Sequence, residues 1–142
     1  MIPNEWIEGS RWLCALRLAQ MQREPADRPW LIRAVVWRDA GTAIGQIGFH
    51  GAPGVNGLRA KDAVELGYSI LPAYQGRGFA TEAAAGLVEW AAIEHGVRRF
   101  LASSAPANAP SIRVLEKLGF IEVSRVWDDD DGEEIVYERR LR

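Results

Sequence analysis

Two β-favouring runs, "AVELGYSI" at 63–70 and "VRRFLASS" at 97–104, enclose a helical stripe. Between about Gly78 and His95 the stripe sets Ala83, Ala84, Leu87, Val88 and Ala91 on one face, and Gly96 suits its C-terminal end. Strands of one sheet joined through a helix run parallel, so residues 63–104 form a βαβ crossover. The remaining segments then have to complete the sheet by antiparallel pairing.

They are suited to it. Ser10 to Arg23 reads as a helix capped by Ser10, with Trp12, Leu13, Leu16 and Ala19 near one face, and "EPADRP" breaks it. Strands are expected at about 30–38 and 42–50 around an Asp39-Ala40-Gly41 turn. "NAPSIRVLEKLG", 108–119, is a second helix with Pro110 in its first turn and Gly119 at its end. "FIEVSRVW" and "EEIVYERRL" make a closing hairpin. The order is helix, three strands, helix, strand, helix, two strands, an α+β arrangement. No repeat or linker divides residues 1–142, so one domain is expected.

Composition narrows the function classes. The formal charge is −2, without the basic footprint of a nucleic-acid binder. No apolar run approaches the roughly 18 residues needed to cross a bilayer, and "MIPNEWIEGS" lacks the features of a secretory leader. The single cysteine, Cys14, cannot form an internal disulfide, and a cytoplasmic location is the expectation. His50 and His95 are isolated and show no metal-ligand spacing, so no metal is expected.

The crossover carries one unusual feature, "LPAYQGRGFATEA" at 71–83. No Gly-Lys-Ser/Thr follows Gly76 and Gly78, which excludes a P-loop. Thr81 stands where a dinucleotide fingerprint needs its third glycine. Two readings remain. One is a plain tight turn. The other is an anion seat, in which residues 75–80 lead into a helix whose first N–H groups lack partners and glycine removes the Cβ atoms that hold an anion off. Arg77 adds a positive charge to the second reading.

Gln75, Gly78 and Ala80 match the Q/R-x-x-G-x-G/A signature of the GNAT N-acetyltransferases. With "ELGYSILPAYQGRGFATEA" and the later "NAPSIRVLEKLGFIEV", residues 64–123 closely resemble the branch of ribosomal-protein N-terminal alanine acetyltransferases. The resemblance implies a mixed, mostly antiparallel twisted sheet with one parallel crossover, a splayed central strand pair and helices on both faces. It implies acetyl-CoA as cosubstrate, with its pyrophosphate on the N–H groups of Gly76, Arg77, Gly78, Phe79, Ala80 and Thr81. The pantetheine arm would pair with exposed backbone at Ile70 and Leu71. Asn108 matches the family's pantetheine-contacting asparagine and equally suits a helix N-cap.

Acetyl transfer to an amine needs a neutral nucleophile and a proton for the departing thiolate. Glu65 is the candidate base, facing away from Leu66 and Tyr68 together with Gly67 and Ser69, although an exposed strand glutamate is the simpler description. Many relatives carry a tyrosine acid where this chain has Leu115. In the resembling branch a serine four residues earlier does that work, and Ser111 matches it. Tyr137 is a reserve candidate that also suits packing. Freeing the lone pair of an α-amine, pKa about 7.7–8.0, costs about 1.4 kcal/mol at pH 7, against about 4.6 for lysine. A primary amine is therefore the expected acceptor, either a protein N-terminus or a small molecule. The alternative reading is a catalytically silent acyl-CoA-binding regulatory module, which has no use for Glu65 and Ser111.

"DDDDG", Asp128 to Gly132, reads as a solvated turn, with attraction of a cationic acceptor as its second reading, and Trp37 and Trp127 are candidates to line a cleft. Family members begin with a strand ahead of the first helix, and "MIPNEW" makes a poor one. The 30–38 strand is then expected to be an open edge, and a homodimer is expected on that ground.

Overall fold

In the computed structural model, which describes residues 1–142, helix α1 (Asn4–Arg23) precedes strands β1 (Arg33–Trp37), β2 (Thr42–Phe49) and β3 (Ala63–Ile70). Helix α2 (Phe79–His95), strand β4 (Arg99–Ser104), helix α3 (Ala109–Lys117) and strands β5 (Ile121–Asp128) and β6 (Gly132–Arg140) follow. One six-stranded sheet has the order β1-β2-β3-β4-β6-β5. All its pairs are antiparallel except β3 with β4, the crossover pair joined through α2. No helix is long and apolar enough to cross a membrane.

The core follows the alternation of the strands. Val64 and Leu66 of β3 and Phe100 and Ala102 of β4 pack with Ala84, Leu87, Val88 and Ala91 of α2 and Leu115 of α3. Each such burial contributes about 1.5–3 kcal/mol for a large apolar side chain. On the opposite face Ala63, Leu101 and Val136 are covered by Leu58, Ala60 and Val126. That face also receives α1, whose Gln20 side chain reaches the His50 carbonyl.

Two boundaries differ from the sequence expectations. Helix α1 starts at Asn4 behind Pro3, and Ser10 is an interior residue. Its buried hydroxyl donates to the Trp6 carbonyl at 2.6 Å, a back-bond that satisfies serine inside a helix. Trp12 points to solvent, and Trp6 instead donates its indole N–H to the Gly45 carbonyl. The "EPADRP" break is followed into a 3-10 segment, Pro25–Trp30, so β1 begins only at Arg33. Trp30 is thereby buried against Phe49 and Trp90. β1 is an outer strand of the sheet, as expected.

Candidate active site

The site begins where the crossover pair separates. Its last register pair is Leu66 with Ala102, yet β3 continues to Ile70 and β4 to Ser104. Glu65 and Leu71 spend their backbone bonds on β2, accepting from His50 N and donating to Ile44 O. By the alternation of strand hydrogen bonding, Tyr68 and Ile70 then turn their peptide groups into the gap. Gln75 Nε2 donates to the Ile70 carbonyl at 2.8 Å, which holds the following loop against the open strand. Leu71 does not share this edge. Its N–H goes to Ile44 and its carbonyl accepts from Tyr74, so both its groups are engaged.

The loop after β3 delivers a row of free donors. Gly76 and Gly78 adopt φ of 74° and 86°, where side chains other than glycine are strained. Gly78 is the N-cap of α2 and no side chain caps that helix. The N–H groups of Gly76, Arg77, Gly78, Phe79, Ala80 and Thr81 donate to no acceptor within the chain, and the first helical bond runs from Glu82 to Gly78. Six successive unpartnered donors at a helix N-terminus are a natural seat for a phosphate group. The Arg77 side chain leaves this seat. Its guanidinium lies 4.6 Å from the Trp37 ring centre and 5.3 Å from that of Phe79, tying the loop to β1. Trp37 is therefore a support for the loop, while Trp127 stands exposed at the far hairpin.

A cavity of about 340 Å³ runs from Ile70 and Gln75 past Gly76, Gly78, Phe79, Ala80 and Thr81 to Asn108 and Ser111 of α3. Arg113 and Lys117 also line it. Sequence reasoning missed both, although basic residues four apart on a helix beginning at Asn108 were the available signal. Asn108 caps α3, its Oδ1 accepting from Ser111 N at 3.2 Å, while its Nδ2 has no partner within the chain.

A second cavity, about 270 Å³, adjoins the first and shares Tyr68, Asn108 and Ser111 with it. It contains Glu65, His50 and Glu134. Tyr68 sits at the seam. Its hydroxyl lies 3.3 Å from Ser111 Oγ and donates to the Ser111 carbonyl at 3.3 Å. Burial pushes the Tyr68 phenol up, with the Ser111 hydrogen bond opposing. Leu115 and Tyr137 are core residues.

Glu65 is not a solvated strand residue. It is 4% exposed. Its Oε1 accepts from Gly57 N at 2.8 Å, and its Oε2 lies 3.0 Å from His50 Nδ1. His50 is accordingly not isolated. Burial pushes the Glu65 carboxyl up, but the His50 hydrogen bond and charge, the Gly57 amide and the Ser103 hydroxyl outweigh it and hold the group below the ordinary glutamate range. A carboxyl depressed by folding stabilises the protein above its unfolded pKa, and that contribution is lost as pH falls through the folded value. Glu65→Gln should therefore flatten the loss of stability on the acid side of the ordinary carboxylate range, read by denaturant unfolding at a series of pH values. His95 stacks on Trp30 and Trp90 and takes no part in this site. No group of three His, Cys, Asp or Glu side chains is arranged to hold a metal ion.

With this geometry in view, the acetyltransferase (GNAT) domain family matches residues 3–121. The chain belongs to the GNAT acetyltransferase family. It is 35% identical over 85 residues to the N-acetyltransferase YnaD of Bacillus subtilis (strain 168), covering 60% of this chain and 46% of that protein. The chain thus spans about half the length of the curated relatives it matches. A GNAT-family acetyltransferase structure from Bordetella pertussis superposes with a TM-score of 0.71 at 27% identity, over 93% of this chain and 77% of that one. The ribosomal-protein-S5-alanine acetyltransferase of Vibrio fischeri shares the fold, with a TM-score of 0.69 at 21% identity over 88% of this chain and 67% of that one. The mixed sheet with one parallel pair and helices on both faces is the GNAT architecture.

Proposed function

We propose that this GNAT domain transfers an acetyl group from acetyl-CoA to a primary amine, with an α-amine the favoured acceptor. The observation that carries the reading is the row of six unpartnered N–H groups from Gly76 to Thr81, placed beside a strand that has lost its neighbour. Together they fit a diphosphate joined to an extended, amide-bearing arm. The amides of residues 76–81 would hold the diphosphate, with Arg113 and Lys117 adding positive charge along the same cavity. The free peptide edge of Tyr68, the Ile70 N–H beside it and the open Nδ2 of Asn108 would hold the arm. When bound, acetyl-CoA supplies the acetyl group as a thioester.

The chain's own residues handle the protons. The Glu65–His50 pair lies on one side of the gap, and the Ser111–Tyr68 hydroxyl pair lies on the other. Ser111 returns a proton to the leaving sulfur, backed by Tyr68. The acceptor side is acidic. Glu134 lines it, and burial followed by the charges of Asp131 and Asp128 pushes its carboxyl up. That field attracts an ammonium group. A single basic assembly matches the low cost of deprotonating an α-amine, about 1.4 kcal/mol at pH 7, better than the about 4.6 of lysine. The fold shared with an enzyme that acts on a ribosomal protein alanine supports the same choice. A homodimer through the outer edge of β1 completes the reading, supported by the half-exposed Val36 on that strand.

The test is mass spectrometry of cell extract and of a peptide panel after incubation with labelled acetyl-CoA. Label on α-amines is the expected result. Label confined to lysine side chains or hydroxyl groups would overturn the acceptor, and none anywhere would overturn the activity.

A further inference from the structure

We propose that His50 Nε2 takes the proton from the acceptor amine, and that Glu65 is a positioning residue that holds the imidazole for it. This deepens the acetyl-transfer reading and rests on it. The Glu65 carboxylate is badly placed to meet a substrate. Its side chain is 6% exposed, one oxygen accepts from Gly57 N and the other faces His50 Nδ1. The imidazole is 36% exposed and opens onto the cavity that holds Ser111. With its Nδ1–H donated to Glu65, a neutral imidazole carries its lone pair on Nε2.

The position of that nitrogen follows from Gly67. A Cβ at residue 67 would lie 3.1 Å from His50 Nε2. Gly67 is the first residue of β3 beyond the last pair with β4. Nε2 thus lies beside the residue at which the splay begins, in the cavity that both share with Ser111, and the missing side chain at residue 67 makes room for it. The backbone of His50 is pinned from two further elements. His50 N donates to Glu65 O at 2.8 Å, and His50 O accepts from Gln20 Nε2 at 2.7 Å. Gln20 is itself held by Arg17 and by buried Asp27, whose other oxygen accepts from Ala52 N. The charged groups lining the cavities around His50 are Glu65 from β3, Arg17 and Arg23 from α1, Glu24 at its end, Asp27 from the 3-10 segment and Glu134 from β6.

The step balances within these residues. The amine nitrogen forms the bond to the acetyl carbon and gives its proton to Nε2. The carbon–sulfur bond breaks, and the sulfur keeps the electron pair and takes a proton from the Ser111–Tyr68 pair.

Two measurements on the whole chain test the assignment. Nitrogen NMR of the unliganded protein should find the neutral His50 protonated on Nδ1, a preference that Glu65→Gln weakens. In kinetics, His50→Gln should lower kcat by about 10²–10⁴-fold and leave coenzyme A binding by calorimetry unchanged. Glu65→Gln should cost less and keep the acidic limb of the pH profile, which His50→Gln should remove. The double variant should be no slower than His50→Gln. A proton on Nε2 in the neutral form, or an acidic limb that survives His50→Gln and vanishes in Glu65→Gln, would overturn this inference while leaving acetyl transfer standing. No transfer to any amine by the intact protein would overturn both.

Discussion

Gly78→Trp is expected to abolish coenzyme A binding while leaving a folded protein. A Cβ at Gly78 meets no atom within 4 Å, so a side chain there projects into open space at the head of α2. That space is where six N–H groups converge without acceptors. An indole would cover them and displace any diphosphate. The substitution also strains the backbone, because φ is 86° at this position, at a cost of roughly 1–2 kcal/mol. Gly41→Trp controls for the strain. Gly41 has a φ of 59°, meets nothing within 4 Å, and lies in the β1–β2 turn. Titration calorimetry with coenzyme A should therefore show no heat for Gly78→Trp and normal heat for Gly41→Trp, with thermal melts lowered by similar amounts. Retained affinity in Gly78→Trp would mean that the diphosphate sits elsewhere and would remove the basis of the functional reading.

The parts of this site that were legible in the sequence are those encoded over short distances. Gly76 and Gly78 announce a turn that side chains resist, and the apolar stripe of α2 begins at once behind them. The crossover was visible because the hydrophobic period changes from two to about four and back. Asn108 and Ser111 lie on one helical turn and found each other as cap and first-turn residue.

His50 was hidden because its meaning depends on register. It follows β2 directly, and residues 51–62 separate it from β3. A connection of that length imposes no register, unlike a two-residue turn. Only the observed pairing, Phe49 with Leu66, sets His50 opposite Glu65. Tyr68 was hidden for a different reason. Its strand neighbours Leu66 and Ile70 are core residues, and alternation assigns it to their face. The loss of β4 beside it, a tertiary event, converts a core position into one at the seam of two cavities. The early start of α1 was missed because Ser10 resembles a cap until its hydroxyl is seen to satisfy itself on Trp6.

Removing the hydroxyl pair should produce the second large effect, and its pattern is more informative than its size. Ser111→Ala is expected to lower kcat by about 10²-fold, the lower end for general acid catalysis, because a thiolate is a tolerable leaving group. Tyr68→Phe should give a loss of the same order, since the two oxygens are 3.3 Å apart and share one hydrogen bond. The phenol, pushed up by burial, stays protonated across the working pH range and can resupply the serine. If the two act as one relay, Ser111→Ala with Tyr68→Phe costs little more than either alone. Residues that act as a unit are non-additive, and a double-mutant cycle on kcat measures the coupling. Multiplicative losses would mean two independent roles, with the Tyr68 hydroxyl serving the arm of acetyl-CoA and Ser111 alone serving the sulfur. Coenzyme A affinity separates these cases. It holds steady in the relay and falls for Tyr68→Phe if the hydroxyl positions the arm.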